Sequence, residues 1–314
     1  MNVEKERDSL SRIQDARRKT EGERSHPPGL TVALEPVEEG VNGRARFESA
    51  SQVAPRESIA APAQFQSSIS DELRNRCFQA AWSPDANRIL FLEGKSESAG
   101  AEEFRTLRAK LYQAREKRPL KKILVTSPVP QEGRSFVAAN LAHVLALQPS
   151  SRVLLIDADL RNPGLHVLLG TTTNPGLTEY LMGGVEEFVV MQRGRLESLY
   201  FIPAGGLPVN PSDALANGRV KSLLQSLEGM FDWIVIDSPA ALPVSDAAQV
   251  ANFCDGVLLV VRSSSTPFDV ARNALGRFRQ EHILGVLLNG TAPAAPSGSQ
   301  QYRGNGRSLS GNGV

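Results

Sequence analysis

Cysteine is scarce in this sequence: 314 residues hold two, Cys77 and Cys254, far apart and in no metal-ligand spacing. That excludes a disulfide-stapled scaffold and a thiolate metal centre, and it fits reduced thiols in a cytosolic protein. Long apolar runs are missing as well. Nowhere do about 18 apolar residues follow one another, so no segment is built to span a membrane as a helix. The first residues, Met1 to Asp8, are charged and carry no apolar stretch, which excludes a secretory signal. Nor is there an excess of one charge. A net charge of +1 gives no global field to attract nucleic acid or an anionic membrane. The expected location is the cytoplasm. Hydrophobic residues make up 41%, slightly low for a compact globule, so part of the chain is expected to lie outside a packed core.

The sequence divides into three stretches. Residues 1–85 mix charges with Ser, Pro and Ala and show little periodicity, which predicts a mostly disordered segment with a short helix near Lys5 to Arg18. Residues 86–290 read as one nucleotide-binding domain, and 291–314, rich in Gly, Ser and Asn, as a flexible tail. Ala86 to Glu93 carries Ile89, Leu90, Phe91 and Leu92, a short strand or docking segment. Phe104, Leu107 and Leu111 stand at helical spacing within Glu102 to Tyr112. Beyond Lys122 the pattern alternates. Strands are predicted at 122–126, 152–156, 199–202, 232–236, 256–261 and 283–288, with helices near 134–147, 177–182, 212–229, 246–252 and 267–280. Such alternation of nearly continuous apolar runs with helices predicts an α/β fold: a doubly wound, mainly parallel sheet with helices on both faces, as in P-loop NTPases.

Three strand ends carry the chemistry. Lys122 to Thr126 runs into a loop that closes on Gly133-Arg134-Ser135, where a helix begins at once. Such a junction points backbone N–H groups and a helix N-terminus at an anion. Pro128 and Pro130 have no N–H, so the cradle falls to Gln131, Glu132, Gly133, Arg134 and Ser135, with the Ser135 hydroxyl where Mg²⁺ would sit. Taken alone, the loop reads equally as a proline-rich turn. Asp157 and Asp159 follow the second strand, and Asp237 ends another. Three carboxylates at one sheet edge repel one another unless a cation sits among them, which turns the reading toward a metal–nucleotide site.

The blocks Asp157 to Pro163, Gly176 to Gly183, Pro203 to Gly206, Asn210-Pro211 and Ile236 to Pro239 extend the pattern. Together with the loop they resemble the bacterial tyrosine kinases of capsule and exopolysaccharide synthesis, in the MinD/ParA-like branch of P-loop proteins. The likeness runs from about Ala101 to Asn289. It implies ATP and Mg²⁺ as cofactors, with phosphate contacts from Gly133, Arg134 and Ser135. It implies Asp157 as the base for the tyrosine hydroxyl, Asp159 and Asp237 as Mg²⁺ holders, and Asn289 as reader of the adenine ring. Glu102, Arg105 and Arg108 match a pattern that builds rings of these kinases. Tyr302 would be the phosphoacceptor in the tail, where the family has a cluster of tyrosines.

Two positions depart from the family loop: Gln131 stands where Gly is usual, and Arg134 where Lys is usual. The resemblance implies an ATP- and Mg²⁺-dependent protein-tyrosine autokinase that regulates surface polysaccharide polymerisation or export. A homo-oligomeric ring would be recruited to the inner face of the plasma membrane by a separate membrane-embedded activator, without nucleic acid. The alternative is a catalytically weak or inactive nucleotide-binding regulator of the same machinery. A ParA-like positioning ATPase fits less well, because the signature lysine expected near Pro130 is missing.

Overall fold

The computed structural model describes residues 29–33, 63–91 and 99–291. In chain order its elements are β1 (Gly29–Ala33), α1 (Ala63–Arg76), β2 (Phe78–Gln79), α2 (Ala99–Lys117), β3 (Lys122–Thr126) and α3 (Arg134–Ala146). Next come β4 (Val153–Asp157), α4 (Leu165–Leu169), α5 (Leu177–Leu181), β5 (Gln192–Arg193), β6 (Leu199–Ile202) and α6 (Pro211–Ala216). The chain continues through α7 (Arg219–Leu227), β7 (Trp233–Asp237), α8 (Asp246–Ala251), β8 (Gly256–Arg262), α9 (Phe268–Leu275) and β9 (Ile283–Thr291).

Among the described residues nine strands form one sheet, in the order β1-β9-β8-β3-β7-β4-β6-β5-β2. From β9 to β6 every pairing is parallel, whereas β1 joins β9 and β5 joins β6 antiparallel. The strands are apolar on both faces because both are covered. Ile123, Val125, Leu155 and Val235 enter one core with Phe104, Leu107, Leu111 and Leu141 of α2 and α3. Their neighbours Leu124, Leu154, Ile156, Ile234 and Ile236 enter the opposite core with Leu181, Leu215, Leu223 and Leu227 of α5, α6 and α7. The period-two switch between cores is what a doubly wound sheet demands. The predicted fold class therefore holds. From β3 the chain crosses to β4 and β6, returns to β7 between β3 and β4, and then moves to β8 on the other side of β3. The carboxyl ends of β3, β4 and β7 thus meet at the crevice where such sheets hold ligands.

Two local expectations differ, and one left open is decided. The stretch 212–229 is two helices, broken at Gly218, whose φ of 78° takes it out of the right-handed helix. Residues 63–85, expected within a mostly disordered segment, form α1 and β2 and pack on the core through Leu73, Cys77, Ala80 and Trp82. Trp82 lies edge-on to Phe201 and over Gly194, where any Cβ would meet its ring at 2.4 Å. Residues 86–91, read as a short strand or a docking segment, form a docked turn, so the second alternative holds. Ile89 and Leu90 are buried, and the Asn140 side chain of α3 accepts from the Leu90 amide and donates to the Arg88 carbonyl. The expected helix near Lys5 to Arg18 and the tail beyond residue 291 lie outside the described residues.

Candidate nucleotide site

The loop between β3 and α3 turns through two left-handed residues, Gln131 at φ 67° and Gly133 at φ 92°. Gly133 is required twice over, because a Cβ there would also come within 2.0 Å of Asn289 Nδ2. Gln131 has no such exemption. Its conformation stores strain of about 1 kcal/mol, the cost anticipated for a side chain at this position. Tethers from the neighbouring strand ends hold the loop in place. Asn289 Nδ2 donates to the Glu132 carbonyl at 2.8 Å, and Arg262 Nη1 to the Gln131 carbonyl at 3.3 Å. The Thr266 hydroxyl donates to the buried Glu132 carboxylate. A cavity of about 310 Å³ lies between the loop and the segment after β8, lined by Pro130, Gln131, Glu132, Arg262, Thr266 and Pro267.

Asp157 and Asp237 stand opposite one another in register on the parallel pair β4·β7, and both are fully buried. Neighbours in register on parallel strands point to the same face, so the two carboxyl groups share one dry site. Their surroundings differ. Asp157 accepts from the amides of Gly164 and Leu165 at 3.2 and 3.1 Å, and from Asp159 N at 3.2 Å. It thereby caps α4, whose own N-cap, Gly164, has no side chain to do so. Burial, then the neighbouring Asp237, push its carboxyl well above the usual range. Neither oxygen of Asp237 has a hydrogen-bond partner. Burial raises it to about 7, against the pull of the Arg134 guanidinium and of the nearby Ser135 hydroxyl.

The cation that these carboxylates require is already attached to the chain. Arg134 Nη2 pairs with Asp159 Oδ2 at 3.1 Å, with side-chain exposures of only 10% and 6%. Its Nε donates to the Ser238 carbonyl at 2.8 Å, and its Nη1 to the Ser127 hydroxyl at 2.9 Å. Among the described residues no three His, Cys, Asp or Glu side chains converge to hold an ion by themselves. Arg134 thus supplies one cation at Asp159, in line with carboxylates that repel one another unless a cation sits among them. The site still fits Mg²⁺ bound mostly through water and phosphate. Asp237 offers two unpaired oxygens, and Ser135 follows at the start of α3.

The signature blocks interlock nearby. Glu179 of α5 accepts from Gly176 N at 2.6 Å and Gly206 N at 2.9 Å, tying two of the blocks together. Gly205, at φ 86°, passes so close that a Cβ would meet Glu179 Oε2 at 2.2 Å. Arg161 pairs with the buried Asp246 of α8 at 2.8 Å, and Ser212 of α6 donates to the same carboxylate at 2.6 Å. The sequence reading singled out neither Glu179 nor Asp246. Glu179 stood within a signature block, whereas Asp246 looked like any acidic residue in a first helical turn.

The remaining candidates lie apart. Asn289 meets the loop at Glu132 through Nδ2, which leaves its buried Oδ1 without a hydrogen-bond partner. On α2, Glu102 and Arg105 pair with each other at 2.8 Å, while Arg108 donates to the Val144 carbonyl at 3.0 Å. Tyr302 lies outside the described residues.

Comparison with known proteins agrees with this arrangement. Residues 128–294, more than half of the chain, match the family described as "Cellulose biosynthesis protein BcsQ". Tyrosine-protein kinase YwqD of Bacillus subtilis is 34% identical over 207 residues, which cover 65% of this chain and 86% of that protein. Tyrosine-protein kinase ptk of Acinetobacter johnsonii is 34% identical over 195 residues, 62% of this chain but only 26% of its own length. The chain thus spans about a quarter of some of its relatives. The kinase domain of the Escherichia coli tyrosine kinase ETK superposes with a TM-score of 0.60 at 32% identity, over 65% of this chain and 82% of that one. With the fold, the loop and the kinase match all coinciding, the chain belongs to the bacterial tyrosine-protein kinase family of P-loop proteins.

Proposed function

We propose that this protein is an ATP- and Mg²⁺-dependent protein-tyrosine autokinase that regulates the polymerisation or export of a surface polysaccharide. One observation carries the reading: a phosphate-type loop opens onto α3 beside a fully buried, unpaired Asp237 and its neighbours Asp157 and Asp159. Phosphoryl transfer asks for positioning and charge neutralisation more than for covalent chemistry by the protein. The amides of residues 131–135 would cradle the phosphates, and Ser135, Asp159 and Asp237 would hold Mg²⁺, directly or through water. The bound ion would supply the positive charge that offsets the phosphate oxygens. Asp157, whose proton affinity burial raises, would receive the tyrosine hydroxyl proton. Asn289 Oδ1 would accept from the adenine amino group.

The expected assembly is a ring built through Glu102, Arg105 and Arg108, with Tyr302 offered to a neighbour. Among the described residues no helix is long and apolar enough to cross a membrane. A separate membrane-embedded co-polymerase or activator would therefore bring the kinase to the inner face of the plasma membrane. Titration calorimetry should show ATP binding that depends on Mg²⁺ and weakens in Asp237→Asn. No Mg²⁺-dependent binding by the wild type would end the site reading.

A second reading has its own support. Gln131 is strained and Arg134 is spent on protein acceptors, which suits a nucleotide-binding regulator that transfers phosphate slowly or not at all. Labelled ATP with Mg²⁺ and the activator separates the two: label on tyrosine supports the kinase, and binding without label supports the regulator.

A further inference from the structure

We infer that Arg134 is a latch of the ligand-free site: it clasps the phosphate loop to Asp159 and Ser238, and an incoming divalent ion must win Asp159 from it. The second half rests on the nucleotide-site reading above; the first rests on contacts alone. Three segments meet at this one side chain. Nε donates to the Ser238 carbonyl after β7, Nη1 to the Ser127 hydroxyl at the start of the loop, and Nη2 to Asp159 after β4. Nη1 also reaches the Val129 carbonyl at 3.4 Å.

A guanidinium can do this because its donors diverge in a rigid plane. A lysine has one nitrogen on a flexible stem and cannot occupy three such separated positions. The pair with Asp159 is largely out of solvent, where screening is weak and the attraction is correspondingly stronger. Neither oxygen of Asp237 beside it makes a hydrogen bond, although the Arg134 guanidinium and the Ser135 hydroxyl stand near enough to favour its charged form. The two carboxylates are therefore unequal: Asp159 is engaged by Arg134, and Asp237 is without a hydrogen bond. An ion entering at Asp237 gains a ligand at once, but gains Asp159 only as Arg134 lets go.

Arginine here is thus a trade, in which the loop is held firm without ligand at the expense of ion affinity. Replacing it should move those two properties in opposite directions, which simple damage to the site would not do. The test uses the full chain as wild type, Arg134→Lys, Asp159→Asn and the double variant. Two readouts are the melting temperature without ligand and Mn²⁺ binding with ADP, followed by electron paramagnetic resonance.

Arg134→Lys should lower the ligand-free melting temperature by about 4 °C, and should lower the Mn²⁺ half-saturation about tenfold. In the Asp159→Asn background the same replacement should change the melting temperature less, because the contact with Asp159 is already weakened and only those with Ser238 and Ser127 remain to be lost. Equal losses in both backgrounds would overturn the latch. So would a half-saturation in Arg134→Lys that stays put or rises. If no protein binds Mn²⁺ with ADP, the nucleotide-site reading fails, while the melting cycle still decides the clasp. Normal binding without coupling would sink the latch alone.

Discussion

Two single residues carry opposite kinds of cost. Gln131 sits at φ 67°, where a side chain crowds its own backbone. Gln131→Gly should therefore raise stability only slightly, by up to about 0.5 kcal/mol once the entropy that glycine adds to the unfolded chain is set against the strain, as read from denaturant midpoints. A variant less stable than wild type would mean that the Gln131 side chain makes contacts that outweigh the strain. Asp237 concerns charge. Its folded pKa, about 7, lies above the ordinary carboxylate value of 3.8, so the folded protein keeps a proton that the unfolded chain has lost. Stability without ligand should accordingly be greatest at or below about pH 4 as far as this group is concerned. It should then fall as pH rises toward 7, by up to about 1.4 kcal/mol per unit. Asp237→Asn should reduce that slope, leaving the part due to the likewise raised Asp157, and urea midpoints at pH 5 and pH 7 measure it. Of these two costs, the possible strain at Gln131 was visible in the sequence, because family loops place glycine there. The lack of any partner for Asp237 was not, since that depends on where Arg134 points its guanidinium, and a side chain with several acceptors within reach gives no sign of its choice in sequence.

At the scale of elements, the central strands were legible because buried parallel strands are unbroken apolar runs, and Val257 to Val261 could be little else. Short or interrupted elements were not. The five-residue α4 has too few turns to show a period, and α1 has only a sparse apolar stripe in its sequence, in which Leu73 is fully buried. The signature blocks were recognisable as strings, but their physical link was not. Glu179 makes them one unit by accepting from Gly176 and Gly206 with a single carboxylate. Hydrogen bonds to a charged acceptor contribute about 1.5–3 kcal/mol each, so Glu179→Ala should cost on the order of 2 kcal/mol or more. It should also loosen the Pro203 to Gly206 turn. Hydrogen exchange at the Gly206 amide is the direct measure: protection unchanged in Glu179→Ala would show that the turn holds itself.

At the scale of the whole molecule, the proposed ring would depend on what α2 leaves available. Arg105 pairs with Glu102 on a partly exposed face, while Arg108 is half-buried and donates to Val144 of its own chain. Arg105→Glu with Arg108→Glu should therefore act in two ways, reversing charge at a subunit contact and unfastening α2 from α3. Light scattering should report a smaller species than wild type. Arg105→Glu alone separates the two effects, since it spares the Val144 contact; an unchanged mass in both variants would remove this helix from the assembly.

The docked turn at residues 86–91 reaches further than its size suggests. Asn140 grips it from within α3, the helix whose first residue is Arg134. Upstream, the Ser83 and Asp85 amides donate to Gly170 and Leu168 at the end of α4, the helix that Asp157 caps. Tension applied ahead of Phe78 would therefore not stop at the rim of the sheet. It would arrive at both helices that frame the carboxylates, so a pull on the segment ahead of the sheet would be felt at the proposed nucleotide site.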